Sequence, residues 1–178
     1  MIYDCLIIGG GLAGLTCGIK CASQGLHTAI ISGGMNSLHF SSGSIDIAGY
    51  TTKGLVIKKP FDYLKTMVKE NTSHPYAKTG IPGLRGSIDF ITEKLSDEGI
   101  TLNNNNDFNH FHVTTLGTLK PTYLSQESVF STRVTDIVNS NQKIAILNFK
   151  GFRDYYPEQT AANLKKNTLF KNTEIILG

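Results

Sequence analysis

Three glycines in the stretch YDCLIIGGGLAGLTCG, residues 3–18, carry the clearest chemistry in the chain. Gly9, Gly11 and Gly14 satisfy the spacing G-x-G-x-x-G. Gly9 allows a tight turn, Gly11 lets the backbone approach a pyrophosphate, and Gly14 lets a helix pack close to a strand. Gly10, Leu12 and Ala13 complete the turn, and their amides face the same ligand at the positive end of the helix dipole. Alone the motif is weak. Here it follows an apolar strand, opens a helix and precedes a second strand, which is the context that a phosphate-bearing cofactor requires. Gly18 follows Gly14 by four residues on one helix face, and Ala22 continues that stripe of small residues.

The elements that must position these glycines are legible around them. Residues 2–8 (IYDCLII) form a short apolar run ending at glycine, a buried parallel strand. Residues 12–24 are helical and stop at Gly25, and residues 27–32 (HTAIIS) form the second strand. The result is a βαβ unit. Farther along, helices are expected over 60–72, with Pro60 in the first turn, and over 87–98, with Ser87 as N-cap and Gly99 as the stop. Asn103 to Asn106 read as a polar turn, and 109–119 and 128–138 alternate like strands. Residues 143–149 read as a strand, 157–167 as a helix and 173–177 as a strand. The fold class expected is α/β, a Rossmann-like FAD/NAD(P)-binding three-layer fold with an inserted α+β region, incomplete at the C-terminus. Its parts are a flavin-binding βαβ unit over 1–48, the insertion over 49–140, and a return to the first sheet over 141–178.

The cofactor's identity turns on an absence. The second strand of a Rossmann site for NAD or FAD normally ends in Asp or Glu, which binds the ribose hydroxyls. Here it ends in Ser32, followed by Gly33, and no acidic residue occurs between Asp4 and Asp46. An NADP site would want a nearby Arg, yet Lys20 is the one basic side chain of that stretch besides histidine. FMN, which ends at one phosphate, needs no such grip and is the expected cofactor. FAD, with its ribose held by Ser32, backbone or water, is the alternative.

The loop LHFSSGSIDIAG, residues 38–49, supplies Ser41, Ser42, Gly43 and Ser44. Such Ser/Gly loops pass along the flavin in large reductases, where small residues let backbone amides and hydroxyls approach the ring edge. The pattern G-x-G-x-x-G-x-x-x-G resembles FAD-binding flavoproteins more than soluble NAD dehydrogenases. Taken with GTLKPTYLS (117–125) and GFRDYYPEQTAANL (151–164), these stretches resemble the B subunit of anaerobic glycerol-3-phosphate dehydrogenase over most of the chain. That resemblance implies an FMN-carrying flavoprotein subunit working with an FAD-bearing A subunit and a C subunit that holds iron–sulfur clusters and anchors the complex. It further implies oxidation of sn-glycerol 3-phosphate to dihydroxyacetone phosphate with electrons passed to quinone. Members of that family are much longer than 178 residues, and no late Gly-Asp-type turn follows residue 140, so a fragment is expected.

Composition narrows the remaining classes. A net charge of +3 without a basic run argues against nucleic-acid binding. No apolar stretch reaches the length of a membrane span, and the N-terminus lacks a basic n-region, so a cytoplasmic protein is expected, peripheral at the membrane through its partner. Cys5, Cys17 and Cys21 cannot all pair, which suits a reducing compartment; Cys17 and Cys21, four apart on one helix, read as small core residues. Removing a hydroxyl proton from a secondary alcohol needs a base. His39, His74, His110 and His112 are available without a supporting motif, and His110 and His112 are too few for a metal. Arg85, Lys120, Arg133 and Arg153 are the candidate phosphate ligands. No catalytic residue is assigned.

Overall fold

The computed structural model describes residues 2–34, 37–130, 133–139 and 143–178. The chain divides into two compact units, Met1–Gly43 and Ser44–Gly178.

The first unit is the βαβ element. Strand β1 (Cys5–Ile8) and strand β2 (Thr28–Ile31) pair in parallel, with Cys5 opposite Thr28 and Ile8 opposite Ile31. Helix α1 (Leu12–Ser23) crosses one face of this pair. Its approach depends on Gly18, which is buried: a Cβ there would lie 2.6 Å from Ile30 Cδ1. The helix ends at Gln24, and Gly25 turns the chain with φ +80°, the left-handed conformation that glycine adopts without penalty. Asp4 ties the strand entrances together, its carboxylate accepting from the His27 amide at 2.9 Å. A short 3₁₀ turn, Ser37–Phe40, follows β2.

The second unit mixes helices and short strands around two cores. Helices α2 (Pro60–Glu70), α3 (Pro75–Thr79) and α4 (Ile81–Asp97) pack on the first, built from Phe61, Leu64, Leu102, Tyr123 and Leu124. Strand β3 (Leu102–Asn103) pairs antiparallel with β6 (Ser125–Gln126), and β4 (His110–Val113) with β5 (Leu119–Thr122). The second core holds Val134, Ile146, Ala161, Leu164 and Phe170. It is covered by helix α7 (Pro157–Lys166) and the parallel pair β7 (Ile144–Ile146) and β8 (Ile175–Leu177).

Two local expectations are corrected. The helix expected over 87–98 begins at Ile81, because Gly80 (φ +73°) breaks the preceding turn and Pro82 suits the first helical turn. Ser87 is therefore no N-cap; its hydroxyl donates to the Gly83 carbonyl one turn back at 2.8 Å. The strand expected over 128–138 is helical instead: α5 (Glu127–Phe130) and α6 (Val134–Asn139), with 131–132 outside the described residues. Val134 and Val138 are spaced for one helix face, and both pack into the second core. A period of four won over an apparent period of two.

Candidate functional site

The glycine turn has the build of a phosphate cradle. Gly9 takes φ +112°, and its amide donates to the Ile31 carbonyl at 2.8 Å. The parallel ladder thus runs one bond past the strands before the chain turns away. Gly11 is the N-cap of α1 in extended backbone, no side chain caps the helix, and its first turn carries no acidic residue. The first-turn amides have no partner within the helix, by the geometry of every helix start. With no side-chain cap and no acidic residue in the first turn, these amides suit an anion.

The two sides of the turn differ in a way that fits a bound pyrophosphate. At Gly14 a Cβ would lie 1.9 Å from the Gly9 carbonyl oxygen, so the helix is seated on backbone where no side chain fits. At Gly11 a Cβ would meet nothing within 4 Å. Hydrogen there is unnecessary for the protein's own packing, and it keeps the approach open for a ligand. Leu12 and Ala13 are exposed above the same turn, while Gly10 is buried beneath it.

Ser32 and Gly33 follow β2 and are exposed; the bond from Gly9 to Ile31 puts the chain entering Ser32 beside the cradle. The Ser32 hydroxyl donates to the Gly34 carbonyl at 3.1 Å. Ser41 and Ser42 are exposed and Gly43 half-buried at the end of the first unit. Ser41 accepts weakly from the Gly43 amide at 3.4 Å. Ser44 opens the second unit.

The candidate bases and phosphate ligands do not form one site. His74 caps α3, its Nδ1 accepting from the Tyr76 amide at 3.1 Å. His39 is exposed and packs edge-on to Phe40. Arg85, Lys120 and Arg133 each answer a different acid: Asp107 at 3.0 Å, Asp46 at 2.8 Å and Asp136 at 2.7 Å. Arg85 makes a two-pronged contact with Asp107 and lies over the Phe61 ring, while the Tyr123 hydroxyl donates to the same carboxylate at 2.6 Å. This arrangement holds the Asp107 carboxyl below its usual range, and burial followed by the Asp107 contact pushes Tyr123 up to about 12. It is a structural clamp. Arg153 is exposed.

A polar group that sequence reading missed lies in the second unit. His110 and His112, both on β4, each place Nε2 against Ser125 Oγ, at 2.6 and 2.8 Å. All three residues are buried, and both Nδ1 atoms lack a hydrogen-bond partner. One hydroxyl has one proton, so it donates to one imidazole and accepts from the other; the two rings must hold different tautomers. Burial lowers the pKa of both, and His110 falls to about 4. The alternation His-x-His was visible in sequence, but Ser125 comes from another strand pair and carried no signal.

No helix among the described residues is long and apolar enough to cross a membrane, and no metal-binding group of three or more His, Cys, Asp or Glu occurs among them.

The chain is 42% identical over 176 residues to the B subunit of anaerobic glycerol-3-phosphate dehydrogenase from Aliivibrio fischeri, covering 98% of this chain and 39% of that protein. It is 38% identical over 167 residues to the protein of the same name from Yersinia enterocolitica, covering 93% and 39%. The Vibrio vulnificus protein of that name is 36% identical over 174 residues, covering 97% and 39%. The chain therefore spans about two fifths of the length of these curated relatives. No solved structure matches it. The family match is to an FAD-binding domain, which supports the alternative cofactor, FAD, and lends none to FMN. With that match running from residue 4 to 175, through the cradle and both cores, the chain belongs to the FAD binding domain family, an α/β fold of Rossmann type.

Proposed function

We propose that this chain is the flavin-binding part of the B subunit of an anaerobic glycerol-3-phosphate dehydrogenase, with FAD as its cofactor. The observation that carries the reading is the cradle. Gly14 seats the helix on the Gly9 carbonyl, and Gly11 leaves the uncapped helix start open, in a chain of the FAD-binding domain family. In this reading the amides of Gly11, Leu12, Ala13 and Gly14 hold the pyrophosphate, helped by the helix dipole. Ser32 and Gly33 border the ribose side, where an acid is usual. Ser41, Ser42 and Gly43, at the end of the same unit, supply small residues to the flavin.

Bound flavin would accept the reducing equivalents of the substrate. The chain's own residues bind and orient it, and none of its histidines is assigned as base: His110 and His112 are locked in a buried network, and His74 is a helix cap. The reaction that the relatives' name suggests is oxidation of sn-glycerol 3-phosphate to dihydroxyacetone phosphate, with quinone as acceptor. An A subunit bearing FAD and an iron–sulfur C subunit that anchors the complex at the inner face of the membrane complete the proposal.

One observation favours FMN as a second reading: β2 does not end in a carboxylate, and none follows before Asp46. Equilibrium dialysis against FAD and against FMN separates them. Tighter retention of FAD supports the proposal; equal or tighter retention of FMN supports the second reading; retention of neither overturns both.

A further inference from the structure

The three cysteines are arranged otherwise than the small core positions expected of Cys17 and Cys21. Cys17 is exposed, and Cys5 and Cys21 are only half-buried. Cys5 opens β1, and Cys21 lies in the last turn of α1, where the helix passes back over the strand's start. The Cys21 thiol donates to Cys5 Sγ across 3.9 Å. Cys17 lies one helical turn before Cys21 and acts on the same thiol; the Cys5 contact first, then burial, pushes Cys21 up to about 11. Three thiols on two elements thus meet at the edge of a small unit, with two sulfurs in contact.

We propose that Cys5 and Cys21 form a reversible disulfide, a redox modification site whose reaction partner is a low-molecular-weight disulfide of the glutathione class. The chemistry is a two-step exchange. The Cys5 thiolate attacks the disulfide RSSR; a bond forms between Cys5 Sγ and one sulfur, the S–S bond breaks, and RS⁻ leaves. Cys21 Sγ then attacks the Cys5 sulfur, releasing the second RS⁻, and the two thiol protons end on two RSH. The protein loses two electrons and two protons, and the small disulfide gains them. Closing the bond requires the sulfurs to approach from 3.9 Å to about 2.05 Å. The bridge spans 16 positions in sequence, and the loop it closes contains the whole glycine cradle, Gly9 to Gly14. Oxidation therefore staples β1 to α1 behind the phosphate site. The inference stands on the sulfur geometry and holds whichever nucleotide the cradle binds.

The test is to incubate the full chain with glutathione disulfide, alkylate the remaining thiols and map the peptides by mass spectrometry. The expected product has lost two hydrogens, carries a peptide pair joined through Cys5 and Cys21, and keeps Cys17 alkylated. Cys17→Ser should give the same bridge, Cys5→Ser should give none, and dithiothreitol should reverse it in the parent chain. Three alkylated cysteines after prolonged oxidation would overturn the proposal. So would a glutathione adduct without an internal bridge, or a bridge between Cys17 and Cys21. Because the Cys17→Ser chain retains both proposed partners, failure of the bridge there while the unmodified chain forms one would also assign the chemistry elsewhere.

Discussion

Replacing Gly14 with alanine asks whether the cradle's close side is as rigid as its geometry implies. The new Cβ would start 1.9 Å from the Gly9 carbonyl oxygen, and real Cβ atoms essentially never come within 3.0 Å of such a neighbour. The helix must back away by about 1 Å, and the obstacle is backbone rather than a side chain that can swing aside. Overpacking of this kind costs about 1–3 kcal/mol. Alanine's better helix propensity returns about 1 kcal/mol. Because the obstacle is backbone, the upper end of that range applies, and about 3 less about 1 leaves a net loss of about 2 kcal/mol, roughly a thirtyfold fall in the folded-to-unfolded ratio of the βαβ unit. Gly11→Ala is the paired perturbation. Its Cβ meets nothing within 4 Å and its backbone is ordinary extended chain, so the fold should survive with a loss of about 1 kcal/mol or less. Under the proposed function its methyl group stands where the pyrophosphate approaches, and FAD affinity should drop at least about tenfold, or ~1.4 kcal/mol. Urea unfolding followed by circular dichroism reads the first quantity, and equilibrium dialysis the second. Gly14→Ala unfolding at the parent's urea midpoint, or Gly11→Ala binding FAD as tightly as the parent, would refute the reasoning.

Further perturbations test the second unit. Both buried histidines have lowered pKa values, so stability is fully present above the unfolded value near 6.5 and is lost as pH falls toward about 4, where His110 titrates. That loss is on the order of 3 kcal/mol for His110 alone, is sharpened by the positive charges of Arg133 and Lys120 facing the pair, and is eased by Asp46; urea midpoints across this range should fall, and a flat profile would contradict the buried network. Ser125→Ala strands Nε2 of both rings and should cost about 1–3 kcal/mol by the same assay, with the ring nitrogen resonances of both histidines shifting together. Leu64→Ala empties a fully buried position of the first core and should cost about 2–5 kcal/mol in urea unfolding, while an unchanged midpoint would mean that α2 is not docked as described.

The βαβ unit was legible because its information is local. The apolar run, the spaced glycines and Gly25 fix strand, turn, helix and stop within 31 residues, and β1, α1 and β2 lie within two or three residues of their expected bounds. Reading failed where one residue has two local uses. Ser87 is a good N-cap, but Gly80 and Pro82 start the helix earlier and leave it in mid-helix. Val134 and Val138 satisfy a helical face as readily as their neighbourhood satisfies strand alternation, and packing against Ile146 and Leu164 in the second core settled the matter. The His110–Ser125–His112 network was illegible for another reason. It forms only when β4 and β6, from separate strand pairs, meet, and no spacing in the chain encodes that meeting. At the cradle, sequence located the glycines and the missing acid after β2. It did not reveal the asymmetry between the filled space at Gly14 and the open space at Gly11.

The central claim is that the amides at the start of α1 grip the cofactor's pyrophosphate. A two-dimensional amide proton–nitrogen NMR titration of the chain with FAD tests it at the atoms concerned. The account predicts saturable shifts of the Gly11, Leu12, Ala13 and Gly14 amides, abolished by Gly11→Ala. Shifts elsewhere with these four unmoved, or no shift at saturating FAD, would contradict it.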